Sequence, residues 1–122
     1  MKIRIKGASV RLRLSKSEVA RLVHEGLVEE ETPFGSSIFR YAVQKAVSGD
    51  QLSAAFEGAN MIMYVPQSLI HDWDTNSLIS IEANMSVGDR GSLYLLLEKD
   101  FQCIDQTTED QSDNYINPNQ IC

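Results

Sequence analysis

Gly7-Ala8-Ser9-Val10-Arg11-Leu12-Arg13-Leu14 is answered, about 51 positions on, by Gly58-Ala59-Asn60-Met61-Ile62-Met63-Tyr64-Val65. Val10, Leu12 and Leu14 fall on Met61, Met63 and Val65. The match continues, with Ser17 on Ser68, Val19 on Ile70, Leu22 on Trp73, Leu27-Val28 on Leu78-Ile79 and Glu31 on Glu82. Between residues 3–32 and 54–83 only five of 30 pairs are identical, so the order and spacing of apolar positions carries the match. It predicts two like units that bury apolar faces against each other around a pseudo-twofold axis. Two unrelated strand–helix–strand segments of similar period would give the same pattern.

Each unit reads as ββαββ. Lys2–Lys6 alternates, with Ile3 and Ile5 on one face and Lys2, Arg4 and Lys6 on the other. Val10–Leu14 alternates the same way, with Arg11 and Arg13 opposite the aliphatic residues. Gly7-Ala8-Ser9 joins them as a hairpin connection. Five cations then share one face, and glutamates on a neighbouring strand would relieve their repulsion. Ser15-Lys16-Ser17-Glu18 is a capping box, Leu14 and Val19 fit a hydrophobic staple, and Gly26 is a helix stop. Strands are predicted at 27–32 and 38–46 around the Pro33-Phe34-Gly35 turn, and Val47-Ser48-Gly49-Asp50 links the halves. The second unit predicts strands at 52–57 and 60–65, and a short helix opened by Pro66 that carries Leu69, Ile70 and Trp73. Strands at 78–83 and 92–98 complete it. Met61–Val65 and Leu93–Leu97 are almost wholly apolar, as in strands buried on both faces.

The 122 residues suit one domain with a real core, and no apolar run reaches the length of a membrane span. The opening Met1–Lys6 has no apolar stretch of a secretory signal, so a cytoplasmic protein is expected. The net charge of −6 is uneven. Residues 1–24 hold seven basic groups and one acid, Glu18. Residues 25–97 hold three basic groups and ten acids, and residues 98–122 one and six. An acidic chain is repelled by nucleic acid and anionic membranes at long range, so neither is an expected partner. The basic N-terminal ribbon either holds a phosphate or pairs with acidic strands of its own molecule.

Cys103 and Cys122 bracket a polar, acidic C-terminal tail, residues 102–122. They lack the spacing of a zinc site, and a disulfide between them is not expected in a reducing compartment. Asp105, Glu109, Asp110 and Asp113 do not follow a calcium-loop pattern. His24 and His71 fall on helices as surface residues. No nucleophile elbow, phosphate loop or nucleotide fingerprint occurs. No catalytic residue, metal ligand or cofactor is assigned.

Two local resemblances bear on topology. The run from Met61 through Pro66 and Trp73 to Glu82 resembles the strand–Pro–helix–strand unit of AbrB-type swapped-hairpin proteins. Those are basic DNA-binding dimers, whereas this run carries Asp72, Asp74 and Glu82 and no Lys or Arg. Eight strands and two helices in like halves are similar to triphosphate-tunnel (CYTH-like) barrels, whose first strand reads E-x-E-x-K. Here Lys2-Ile3-Arg4-Ile5-Lys6 keeps only the lysine, and both metal-binding glutamates are absent. The likeness implies a tunnel in which Lys2, Arg4, Lys6, Arg11, Arg13 and Arg40 face a polyanion, with Glu29 and Glu31 as counter-charges. The chain as a whole also resembles a family of small uncharacterised bacterial proteins. The likeness rests on Lys2–Gly7, Arg11–Val19, Leu95–Cys103 with Glu98-Lys99-Asp100-Phe101, and Asn117-Pro118 before a terminal Cys. That family implies no activity.

The expectation is an α+β protein, a mainly antiparallel β barrel or half-barrel of eight strands closed by two short helices. It forms one duplicated domain over residues 1–101, with halves 1–48 and 49–101. The expected core is Ile5, Val10, Leu12, Leu14, Val19, Leu22, Val28, Phe56, Met63, Val65, Ile70, Trp73, Ile79, Leu95 and Leu97. The function remains unknown. The leading reading is a non-catalytic interaction module. The alternative is a binder or hydrolase of a phosphorylated small molecule, using the basic hairpin inside a barrel. A small anionic ligand or a protein is the partner either reading calls for.

Overall fold

The computed structural model describes residues 1–101. The tail, and with it any pairing of Cys103 with Cys122, lies outside the described residues. The elements run β1 (Lys2–Ile5), β2 (Ser9–Leu14), α1 (Lys16–Glu25), β3 (Leu27–Pro33), β4 (Ile38–Ala46), β5 (Ser53–Glu57), β6 (Asn60–Pro66), α2 (Gln67–Ile70), β7 (Ser80–Ser86) and β8 (Ser92–Lys99). The described residues are mostly β with two helices. Among the described residues no helix is long and apolar enough to cross a membrane.

Among the described residues eight strands form two four-stranded sheets, and no barrel closes. The first sheet is ordered β1-β2-β8-β7 and the second β3-β4-β6-β5. Each half gives one hairpin to each sheet, so α1 and α2 are the crossovers between sheets. The hairpins meet through parallel pairs, β2 with β8 and β4 with β6, where antiparallel pairing was expected. The apolar runs of β6 and β8 belong to these central strands, but Ile62 and Tyr64 at the outward positions of β6 are only half-buried, so β6 is not covered on both faces as expected.

Adding four to each strand number, and returning to one after eight, turns the first sheet's order into the second's read from its other edge. The hydrogen bonds repeat as well. Arg40 N–H donates to Ala59 O at 2.9 Å and Tyr94 N–H to Ala8 O at 2.9 Å; Lys45 N–H donates to Gly26 O at 2.8 Å and Lys99 N–H to Ile79 O at 3.0 Å.

Ser15 caps α1 as expected. Its hydroxyl accepts from Glu18 N–H, and Glu18 Oε1 accepts from Ser15 N–H at 2.9 Å. Gly26 ends the helix at φ +86°, a left-handed conformation that costs any side chain. Between the sheets, the row Ile3-Leu12-Leu97-Ile81 faces the equivalent row Ala54-Met63-Val43-Val28. Val10, Leu12, Leu14, Val19, Leu22, Val28, Met63, Val65, Ile70, Trp73, Leu95 and Leu97 are buried as expected, together with Tyr41, Val43, Leu52, Met61 and Ile81.

Three expected core residues are exposed: Ile5 (59 %), Phe56 (67 %) and Ile79 (57 %). Ile5 and Phe56 lie at or beside the ends of the edge strands β1 and β5, next to hairpin turns, where a neighbour covers only one side. Ile79 lies before β7 begins, and Ile81 takes the core position. The offset between halves is 51 from Leu12 to Met63 and 53 from Val28 to Ile81. The second crossover is therefore two residues longer than the sequence alignment assumed.

Candidate functional site: the outer faces of the two sheets

Alternation decides which side chains leave the core. In β2, Val10, Leu12 and Leu14 are buried, so Arg11 and Arg13 project from the opposite face of the first sheet. Register then aligns Lys2 with Arg13 and Arg4 with Arg11 on β1, and Glu98 and Leu96 on β8. Lys6 lies in the turn rather than in a strand; its carbonyl accepts from Ser9 Oγ at 2.7 Å. Lys2, Arg4, Lys6, Arg11 and Arg13 thus gather on one basic outer face, which is open.

Arg40 does not join them. It stands on β4, on the outer face of the second sheet, paired across the strands with Glu31. Its Nη2 and Nε donate to Glu31 Oε1 at 2.5 and 3.2 Å. Glu29 and Glu31 share that sheet, so they cannot act as counter-charges to the hairpin. The cations of the expected tunnel are split between two outward-facing surfaces, and the barrel that would have enclosed them is not formed.

The counter-charges of the basic face come instead from β8 and the residue after it. Arg13 Nε donates to Glu98 Oε1 at 2.9 Å, and Lys2 Nζ lies 2.9 Å from Asp100 Oδ2. Tyr94 Oη donates to Glu82 on the same face. This hydrogen bond to a carboxylate, assisted by burial, raises the Tyr94 pKa above its ordinary value. Sequence reasoning placed carboxylates on a neighbouring strand without identifying it. The neighbour is parallel and distant in sequence, and no local signal marks it.

The second sheet's outer face is built differently. Rows Ser53-Tyr64-Gln44-Leu27, Ala55-Ile62-Ala42-Glu29 and Glu57-Asn60-Arg40-Glu31 line it. The short Ala42 and Ala55 leave a shallow trough of about 320 Å³ between Tyr64 and the charged row. At the equivalent positions the first sheet carries Leu96 and Arg4, with Arg11 in place of Ile62. This trough was not read from the sequence, although apolar Ile62 and Tyr64 at outward positions of β6 signal it.

A second cavity, about 310 Å³, lies where β8 leaves its sheet, lined by Leu14, Lys16, Val19, Asp74, Lys99 and Phe101 among others. His24 Nε2 lies 2.8 Å from Asp74 Oδ2, tying α1 to the turn after α2. His71 follows α2 directly. No three His, Cys, Asp or Glu residues come together to hold a metal ion among the described residues.

A second charged cluster fixes the chain start. The Met1 α-ammonium lies 2.6 Å from both Glu18 and Glu30, and Tyr41 Oη donates to Glu30 at 3.1 Å. Burial works against the ammonium, but its hydrogen bonds to the two glutamates outweigh that and raise its pKa above 8.0. Burial likewise opposes the Glu18 carboxylate. The hydrogen bonds from Met1 and Ser15 prevail and hold it below 4.5.

Against known proteins, residues 1–119 match the model of a family described as "family of unknown function (DUF7009)". No curated protein and no solved structure gives a significant match.

Proposed function

We propose, for a chain that belongs to the DUF7009 family of unknown function, a non-catalytic interaction module. On this reading the basic outer face of the first sheet receives an acidic polypeptide surface. One observation carries it. Equivalent rows of the two sheets are apolar on the inside and diverge on the outside, where Arg4 and Arg11 replace Ala55 and Ile62.

Arg4 and Arg11 are directly opposite each other across β1 and β2. Like charges so placed destabilise a sheet, so folding alone does not call for them. Around them stand Tyr94, Leu96, Glu82 and Glu98, a mixed surface that suits a protein better than a run of phosphates. The doubled hydrogen-bond pattern supports descent of residues 1–101, read as a single domain, from one duplicated unit.

The test is a titration with poly-L-glutamate at low salt. Saturable binding is expected, weakened at least tenfold in Lys6→Glu/Arg11→Glu and unchanged in Arg40→Gln. Equal binding by the double variant would overturn the reading. So would displacement of polyglutamate by micromolar tripolyphosphate, which would restore a phosphorylated small molecule as the ligand.

A further inference from the structure

We infer that the basic face already has an occupant within its own chain, the acidic segment 102–122, which a partner must displace. This rests on the reading of that face as an anion-binding surface and names what regulates it.

The first argument is charge. Residues 102–122 hold Asp105, Glu109, Asp110 and Asp113 and no Lys or Arg. The face holds Lys2, Arg4, Lys6, Arg11 and Arg13. Glu98 and Asp100 take up Arg13 and Lys2, which leaves Lys6 and Arg11 without an ion pair among the described residues.

The second argument is where the described chain ends. Asp100 follows β8 directly, its N–H donates to Leu14 O at 2.8 Å, and its carboxylate is already seated on Lys2. Asp100, next to the last described residue, therefore sets a carboxylate on this face. Two residues of strand advance about 7 Å, so the row from Lys2 past Arg4 to Lys6 runs about 13 Å. The five residues from Asp100 to Asp105 span up to about 17 Å, enough to bring the next carboxylate to any of these cations.

The third argument is concentration. A tethered anion acts at an effective concentration in the millimolar range, so even weak pairing competes with a free partner. The competition depends on charges a few ångströms to a Debye length apart and fades with added salt.

The experiment compares the full chain with a full chain carrying Asp105→Asn, Glu109→Gln, Asp110→Asn and Asp113→Asn. In ¹⁵N NMR at low salt, neutralisation is expected to shift the β1 and β2 amides and the Arg11 Nε resonance, while β3 and β4 stay still. No change in β1 and β2 overturns the inference, whatever the face binds. Poly-L-glutamate should bind the neutralised chain at least fivefold more tightly at low salt, and the gap should close at high salt. If both chains bind polyglutamate equally, the inference fails and the function reading stands. If neither binds but the β1–β2 shifts appear, the function reading fails and the inference stands.

Discussion

Lys45 and Lys99 hold the same position in the two halves. Lys45 Nζ donates to the carbonyl of Val23 in the last turn of α1, and Lys99 Nζ donates to the carbonyl of Asn76 after α2, each at 2.9 Å. Each lysine comes from the strand antiparallel to the one its crossover leads into, β4 beside β3 and β8 beside β7, and each satisfies a carbonyl that the helix or turn leaves open. Lys99 also lies over the Trp73 ring, 5.6 Å from its centroid.

Replacing either lysine by Met keeps most of the apolar stem and removes the donor. Each change is expected to cost about 1–2 kcal/mol, the loss of a charge-assisted hydrogen bond. Lys99→Met should cost more, because the cation–π contact goes with it. Thermal melts check both, with shifts of several degrees expected for a domain of this size. An unchanged melt for Lys45→Met would show that its stem, not its ammonium, matters.

How far the sequence foretold this arrangement depends on the length scale. The eight strands and both helices were legible because alternation and capping are local, as Val10–Leu14 and Ser15–Glu18 show. The two-residue slip from Ile79 to Ile81 was not, because a shift of two keeps every side chain on its face. Whether the expected barrel or half-barrel closes was not legible, because alternation says which face is apolar and not which strand is the neighbour, and the strands form two separate sheets. The parallel pairing of Arg13 with Glu98 joins residues at opposite ends of the described chain, and it decided both the sheet partition and the site. Five of the six expected cations did gather, since a hairpin register is local. Arg40 did not, since its placement depended on the tunnel.

The Met1 ammonium predicts a defined dependence on pH. Its pKa is raised on folding, so its contribution is complete below about pH 8 and is lost as pH rises through the folded value. The Glu18 pKa is lowered, so its contribution is present above about 4.5 and is lost as pH falls through the folded value. Urea melts from pH 4 to 10 should show stability declining at both limits. Glu18→Gln should lower the plateau by on the order of 1 kcal/mol and flatten the alkaline decline. A Glu18→Gln chain that keeps the full alkaline decline would assign it to another group.

Arg11 and Arg13 should respond oppositely to neutralisation, although they share a strand and a face. Arg13→Gln loses the Glu98 partner at 2.9 Å and should cost a few tenths of a kcal/mol to about 1. Arg11→Gln removes the like charge opposite Arg4 and should leave stability unchanged or raise it by up to about 0.5 kcal/mol at low salt. Salt should diminish both effects. Paired melts at low and high salt check this, and a clear loss of stability in Arg11→Gln would show that the residue serves the fold.

Trp73 is the single tryptophan and is fully buried, with its indole N–H donating to Leu78 O at 2.8 Å. That bond closes the long second crossover, the segment that separates Ile79 from the core. Trp73→Phe keeps a ring but strands the carbonyl and leaves a void, for a loss of about 2–3 kcal/mol. Leu22 occupies the equivalent place on α1, where the crossover is a regular helix and needs no such bond. Leu22→Val should therefore cost only about 1 kcal/mol. Hydrogen exchange separates the two effects. Trp73→Phe should speed exchange first at Ile79–Glu82, at the start of β7, while the helix following β2 keeps its protection. Uniform acceleration across both crossovers would mean that Trp73 acts through the shared core and not through the crossover it closes.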